Sequence, residues 1–350
     1  MGRQFELRNQ HTVFILGAGF SRLRGLPLIS DFALRMRDAA IWCERNGREI
    51  EARSIFEVLR FRLEAASAAY RISLDLENIE ELFSLASAGS PDITSDVRIA
   101  IAATLNYCES AEAHPQVRFD YKSNRELQVL CPQGGDSVDT DIYPVLLRKL
   151  LGSRGEEQAS FVSFNYDLVL EGAFKALGLQ WNYFINDEGK VGGYPLLKLH
   201  GSMNWGAGDG LVEQYESYED LRNSGQELSI VPPTWNKVLS PTLVNVWRKA
   251  NQIISTATNI VVIGFSMPST DLHFKYLLAS GTRNNVSLRK IVFVDPSDAL
   301  SARAGLIFNT REIANNKVLF LKKRIEDAFF LGPHEGSQKY TLRRDVDILY

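Results

Sequence analysis

Gly17-Ala18-Gly19-Phe20-Ser21, followed by Arg22 and Arg24, is the segment of this chain best suited to holding an anion. Two glycines in a tight turn let the backbone approach a ligand closely. A helix starting there would offer unpaired N–H groups and the positive end of its dipole to a phosphate. An arginine can grip the same group through two parallel hydrogen bonds. Pyrophosphate suits that chemistry, so a dinucleotide is the first expectation. A plain strand-to-helix turn carries the same letters, however, and the motif gains meaning only from what the chain sets beside it.

Such a turn needs a strand before it, and Val13-Phe14-Ile15-Leu16 supplies an unbroken apolar run. Similar runs recur at Ser160–Phe164, Leu196–His200, Ser229–Val231, Asn259–Ile263, Lys290–Val294 and Lys317–Leu321. Short continuous stretches of Val, Ile, Leu and Phe mark strands buried on both faces. Helical patterns such as Leu243–Ser255 and Asp271–Ala279 lie between them, which predicts a doubly wound α/β sheet. Four further motifs then fall at carboxyl ends of strands, where open α/β sheets bind ligands. They are Phe164-Asn165-Tyr166-Asp167, Leu199-His200-Gly201-Ser202, Ile263-Gly264-Phe265-Ser266 and Val294-Asp295-Pro296-Ser297.

Residues 29–151 follow another pattern. Ala52, Ile55, Phe56, Leu59, Leu63, Ala66 and Tyr70 share a helical face, as do Leu76, Ile79, Leu82, Phe83 and Ala86 behind Asp75 as a cap. A third helix is predicted over Ser95–Ala113. A crossover helix needs far fewer residues, so this block reads as a helical insertion docked over the carboxyl edge of the sheet. Its arginines between Arg35 and Arg71 alternate with Asp and Glu, as on a solvated helix surface. Residues 122–141 read as a loop. One domain over 1–350 is expected, with a core of 1–28 and 152–330.

The net charge of -3 favours neither a nucleic-acid scaffold nor a membrane surface. No apolar run is long enough to span a bilayer, and the polar start MGRQFELRNQ lacks the apolar heart of a signal peptide. A cytoplasmic location is the expectation. Cys43, Cys108 and Cys131 form no CxxC pair, which argues against a disulfide framework or a four-cysteine zinc site.

In order and type, the five motifs resemble the sirtuin-like family, and within it the prokaryotic NAD-hydrolysing branch used in antiphage defence. The resemblance rests on the GAGxS turn, Asn165-x-Asp167, His200 before Gly201, Gly264-x-Ser266 and the polar Asp295 closing a later strand; IVPPTWNK and GFSMPSTD look similar too. It implies a Rossmann-like, DHS-like NAD/FAD-binding fold with a large helical insertion after the first strand. It also implies hydrolysis of NAD to nicotinamide and ADP-ribose. Gly17, Ala18, Gly19, Phe20 and Ser21 would cradle the pyrophosphate. Asn165 would hold the nicotinamide ribose or the attacking water, Asp167 would touch the carboxamide, and His200 would be the base. Gly264, Phe265 and Ser266 would line the phosphate and adenosine side, and Asp295 would accept from the adenine ribose hydroxyls.

Plainer roles fit the same residues. Asn165 suits a helix cap, Asp167 a first-turn acid, His200 a hydrogen-bonded structural histidine and Asp295 a turn former. His273, in LHFKYLL, reads as helix packing, and Asp271 as a cap. Sirtuin deacylases usually carry a zinc module of paired cysteines. Its absence leaves a zinc-free deacylase as the weaker alternative, beside a non-catalytic module that senses NAD or ADP-ribose. NAD is expected as substrate, with no metal. Ungated NAD loss would kill the host, so the resemblance implies a homo-oligomer or a separate activator, such as a HerA-type ATPase or a short Argonaute.

Overall fold

The computed structural model describes residues 10–66, 79–89, 91–110, 142–151, 158–185, 192–208, 211–232, 241–267, 272–309, 311, 315, 317–331 and 341–342. From the amino end come β1 (His11–Leu16), a 3-10 helix over Ala18–Arg24, α1 (Phe32–Arg45), α2 (Glu49–Ala66), α3 (Ile79–Gly89), α4 (Pro91–Glu109) and α5 (Ile142–Leu150). Next are β2 (Gln158–Ser163), α6 (Val169–Ala176), β3 (Trp181–Asn182), β4 (Tyr194–Lys198), β5 (Gly201–Gly208), β6 (Leu211–Gln214), α7 (Tyr218–Ser224) and β7 (Glu227–Ile230). The chain continues with α8 (Pro241–Thr256), β8 (Asn259–Ile263), α9 (Leu272–Thr282), β9 (Lys290–Val294), α10 (Leu300–Gly305) and β10 (Val318–Leu321). It closes with α11 (Ile325–Phe329), β11 (Phe330–Leu331) and β12 (Thr341–Leu342).

The main sheet has seven strands in the order β10-β9-β8-β1-β2-β4-β3, every neighbouring pair parallel. Val13–Leu16 of β1 and all of β8 are buried, as strands covered on both faces must be. Phe14 pairs with Phe161 in register, and their rings stack at 5.3 Å. The chain runs outward from β1 through β2 and β4, then returns to the other side of β1 as β8. That reversal places the topological switch point between the carboxyl ends of β1 and β8. The fold is therefore α/β with a doubly wound, Rossmann-like parallel sheet, as the apolar runs predict.

Two expectations change. Ser229–Val231 does not join the parallel sheet; β7 lies in a separate three-stranded antiparallel sheet, β6-β5-β7. A short apolar run cannot by itself say which sheet it joins. The segment after the glycine turn is a seven-residue 3-10 helix rather than an α-helix, ended by Gly25 at φ 79°.

Between β1 and β2 the described residues are helical, as expected, with α4 beginning four residues ahead of the predicted Ser95. Tyr70, Asp75 and the loop at 122–141 lie outside the described residues. The helical block meets the sheet at its carboxyl side, where Tyr143 of α5 donates to Phe20 O at 2.6 Å. It also grips the antiparallel sheet's helix. Glu219 of α7 accepts from Arg48 at 2.6 Å and from Asn106 at 2.8 Å, and Arg222 pairs with Glu51. Among the described residues no helix is long and apolar enough to cross a membrane.

Candidate functional site

The loops leaving β1 and β8 touch through their backbones. Gly17 N donates to Ile263 O at 3.0 Å, and Gly19 N donates to Gly264 O at 2.8 Å. Gly264 stands at φ 63°, and a Cβ there would lie 2.2 Å from Phe20 N. A Cβ on Gly17 would meet Gly264 O at 2.6 Å, and one on Gly19 would meet Gly264 Cα at 2.8 Å. The glycines thus allow two loops to close on each other at the switch point. A side chain at position 19 would therefore strike Gly264.

The loop after β2 is tied into this junction by Asn165. Its Nδ2 donates to Gly17 O at 2.9 Å and to Ser21 Oγ at 3.1 Å. A main-chain carbonyl only accepts, so the amide group facing Gly17 must be the NH2. Both amide hydrogens are thereby committed to protein, and only the oxygen of Asn165 remains to bind water or a sugar hydroxyl. Ser21 passes the connection on by hydrogen-bonding the Asp167 carboxyl. Burial raises the Asp167 carboxyl above its ordinary value, against the opposing pull of Lys198, of Ser21 and of the Val169 N–H, which donates to Oδ1 at 3.1 Å. Asn165 and Asp167 are both buried.

His200 sits in the turn from β4 into β5. The turn requires glycine next: Gly201 has φ 83°, and a Cβ there would lie 2.2 Å from Ser229 O. The His200 ring meets Phe164 edge-on at 5.2 Å and leans on Tyr166 at 6.1 Å. Phe164 in turn stacks on Phe265 at 5.0 Å. Tyr166 hydroxyl donates to Val231 O at 2.6 Å, and Val231 N donates to His200 O at 2.8 Å. One aromatic cluster therefore joins the loops after β2, β4 and β8.

The loop after β9 lies one strand further out. Gly264 N donates to Val294 O at 2.9 Å, and Arg303 of α10 donates to Ser266 O at 2.7 Å. Asp295 Oδ1 accepts from Ser297 N at 2.9 Å, the turn-forming contact noted as its plainer role. Burial raises its carboxyl above the usual range, while the Ser297 N–H and Arg303 oppose that rise. Gly17, Gly19, Ser21, Asn165, Asp167 and Gly264 are linked by hydrogen bonds, and His200 and Phe265 both pack on Phe164 beside them. Ser266 and Asp295 are adjacent through Arg303. Of the arginines after the glycine turn, Arg22 is engaged by Asp31 at 2.5 Å.

Sequence reasoning missed the polar layer behind these loops. Lys198 of β4 and Glu171 of α6 form a buried ion pair at 2.9 Å. Lys198 Nζ also donates to Asp167 O, and Tyr183 hydroxyl donates to Glu171 at 2.9 Å. A lysine inside the apolar run PLLKLH was the available signal. Glu109, the last residue of α4, accepts from the Leu168 N–H and stands near Asp167 while keeping exposed surface. The helical block thus contributes a carboxylate beside Asp167.

A parallel α/β sheet whose candidate site straddles the switch point is the class of protein that fold and site define. No protein-family model matches the sequence, and no curated protein does. Among solved structures, the chain is similar to a Sir2 enzyme in complex with the inhibitor EX-527, 2'-O-acetyl-ADP-ribose and a deacetylated p53 peptide, at 15% identity and a TM-score of 0.37, over 90% of this chain and 89% of that one. It is similar to Sir2Tm bound to a propionylated peptide, at 14% identity and a TM-score of 0.38, over 91% and 90% of the two chains. A third structure, described as a basis for the mechanism and regulation of Sir2 enzymes, has 15% identity and a TM-score of 0.30 over 90% and 88%. At such identities and scores, the functional reading rests on this chain's own geometry.

Proposed function

We propose that the chain hydrolyses the nicotinamide N-glycosidic bond of NAD, giving nicotinamide and ADP-ribose. The observation that carries the reading is the hydrogen-bonded line from Gly17 O through Asn165 and Ser21 to Asp167, at the switch point and beside the His200 cluster. Open α/β sheets bind nucleotides at that place. The pyrophosphate would lie along Gly17–Ser21 and the Gly264-Phe265-Ser266 turn, with Asp295 toward the adenine ribose.

The chemistry needs few groups. Nicotinamide leaves as a neutral ring, so no acid is required to protonate it. The C1'–N bond breaks, the sugar takes on oxocarbenium character, and a water oxygen bonds to C1'. In this reading Asn165 orients that water or a ribose hydroxyl through its amide oxygen alone. His200 takes the proton, since imidazole is the usual base near neutral pH. Asp167 would touch the nicotinamide carboxamide, from a carboxyl that burial raises above its ordinary value. Positioning and electrostatic stabilisation supply most of the acceleration in such a reaction.

A second reading, a module that binds NAD or ADP-ribose without turnover, is favoured by one contact. Both Asn165 N–H groups brace the glycine loop, as a purely structural asparagine's would. Nicotinamide release by the wild type, measured beside NAD binding, separates the two. In the first reading the enzyme is an NAD-depleting effector of antiphage defence. Its activity would be gated by self-association or by a partner such as a HerA-type ATPase or short Argonaute. Light scattering that shows a fully active monomer would remove the gating idea.

A further inference from the structure

The loop Asn165–Leu168 is stitched to the segment around His200 from below as well as from the side. Tyr166 O accepts from Met203 N at 3.0 Å and from Ser202 Oγ at 3.3 Å. Asp167 O accepts from Lys198 Nζ. Lys198 lies two residues before His200, and its side chain is 2% exposed. Its ammonium is anchored by Glu171, itself 7% exposed, in the first turn of the helix that follows the loop. Tyr183 supports Glu171 from β3's far end at 2.9 Å.

Stability gives little reason for this arrangement. A buried ion pair roughly breaks even against apolar residues of the same size, because desolvation offsets the attraction. What the pair does supply is direction. An ammonium fixed at one end by a buried carboxylate holds the Asp167 carbonyl at a set place relative to the strand that carries His200.

We propose that Lys198 is a positioning residue for the candidate site, with Glu171 as its anchor: together they set the loop bearing Asn165 and Asp167 in register with His200. The inference rests on the hydrolase reading for its effect on turnover, but the ordering of the loop can be measured without it. Lys198 and Glu171 need not touch substrate.

The test compares wild type, Lys198→Met and the pair Lys198→Met/Glu171→Gln. The single change leaves Glu171 charged, buried and without its cation, so it lowers the melting temperature and can fail to fold. The double change removes both charges and keeps an acceptor for Tyr183, so its melting temperature returns near that of wild type. Two readouts follow on the folded double variant. Nicotinamide release should fall about 100-fold in kcat, the scale of a misplaced reacting group, with KM for NAD changed less than about threefold. Amide hydrogen exchange should rise in the segment 165–168 and stay unchanged in β1 and β8. Wild-type kcat together with wild-type exchange in the double variant would overturn the proposal. If the wild type releases no nicotinamide, the hydrolase reading fails, and the exchange data alone decide: unchanged protection of 165–168 overturns the positioning role, and loss of protection confined to that segment supports it.

Discussion

Asn165 Nδ2 lies 3.1 Å from Ser21 Oγ, so the loop after β2 is hydrogen-bonded to the loop after β1 across their strand pair. Ser21 also bonds the Asp167 carboxyl. One buried hydroxyl thus links two candidate site residues, and its loss should be felt at both. Ser21→Ala should cost about 1–3 kcal/mol, because an amide hydrogen and a carboxyl lose a partner while still buried. With Asn165→Ala it should be non-additive by about 0.5–3 kcal/mol in a double-mutant cycle. Denaturant unfolding of the four proteins measures this, and strictly additive losses would count against the link.

Glycines divide by what a Cβ would meet. Gly264→Ala forces a side chain onto a backbone at φ 63° and 2.2 Å from Phe20 N. It should lower stability by at least ~2 kcal/mol, the scale of a strained left-handed residue plus displaced backbone. Gly172, inside α6, has nothing within 4 Å of its Cβ position. Gly172→Ala should raise stability by about 0.4–1 kcal/mol. Thermal melts of both variants give the comparison, and a Gly264→Ala protein as stable as wild type would contradict the packed-loop geometry.

Parallel strands buried on both faces write themselves as apolar runs, which is why β1, β2, β4, β8, β9 and β10 were legible from sequence. The antiparallel sheet was not. Its central strand reads Gly-Ser-Met-Asn-Trp-Gly-Ala-Gly, and it buries Ser202 and Asn204 among apolar residues, so neither alternation nor an apolar run marks it. At the site, residue types and their order along the chain were readable, because each follows a strand. Which loop faces which was not. The Gly-x-Gly spacing marked a tight turn but not that the Cβ positions of Gly17 and Gly19 are closed off by Gly264. Nor could the sequence show that Asn165 has given both its hydrogens to protein.

His11 offers a pH test with a defined sign. Its Nε2 lies 3.0 Å from Ser160 Oγ and its Nδ1 3.1 Å from Thr256 Oγ1. Burial lowers its pKa, against an opposing hydrogen bond with Thr256. The unfolded chain then takes up the proton first, near pH ~6.5, so this group's contribution to stability falls as pH drops below that value. The buried carboxyls of Asp167, Asp295 and Glu326 are raised and act in the opposite sense over the acid range. The comparison must therefore be between proteins. His11→Gln should lose less stability than wild type from about pH 7 to pH 5, as read from urea midpoints; parallel curves would show that His11 is not charged at a cost.

Cys43 and Cys108 are both buried, and burial pushes each thiol up to about 12. Thiolate is the reactive form, so both should resist iodoacetamide at neutral pH in the folded protein and react once it is denatured. Peptide mass spectrometry resolves each site. Rapid labelling of Cys108 under native conditions would mean that α4 does not pack as described.

Nicotinamide release from NAD, quantified by chromatography for wild type, Asn165→Ala and His200→Ala, tests the central claim most directly. The proteins are assayed alone and with the product of the adjacent gene, and NAD binding by thermal shift checks that each variant is folded. The account expects release by the wild type and a loss of at least ~100-fold in kcat for each variant, with NAD binding retained in both, since each change acts mainly on the transition state. A wild type that binds NAD and releases nothing, or variants that keep wild-type release, would contradict it.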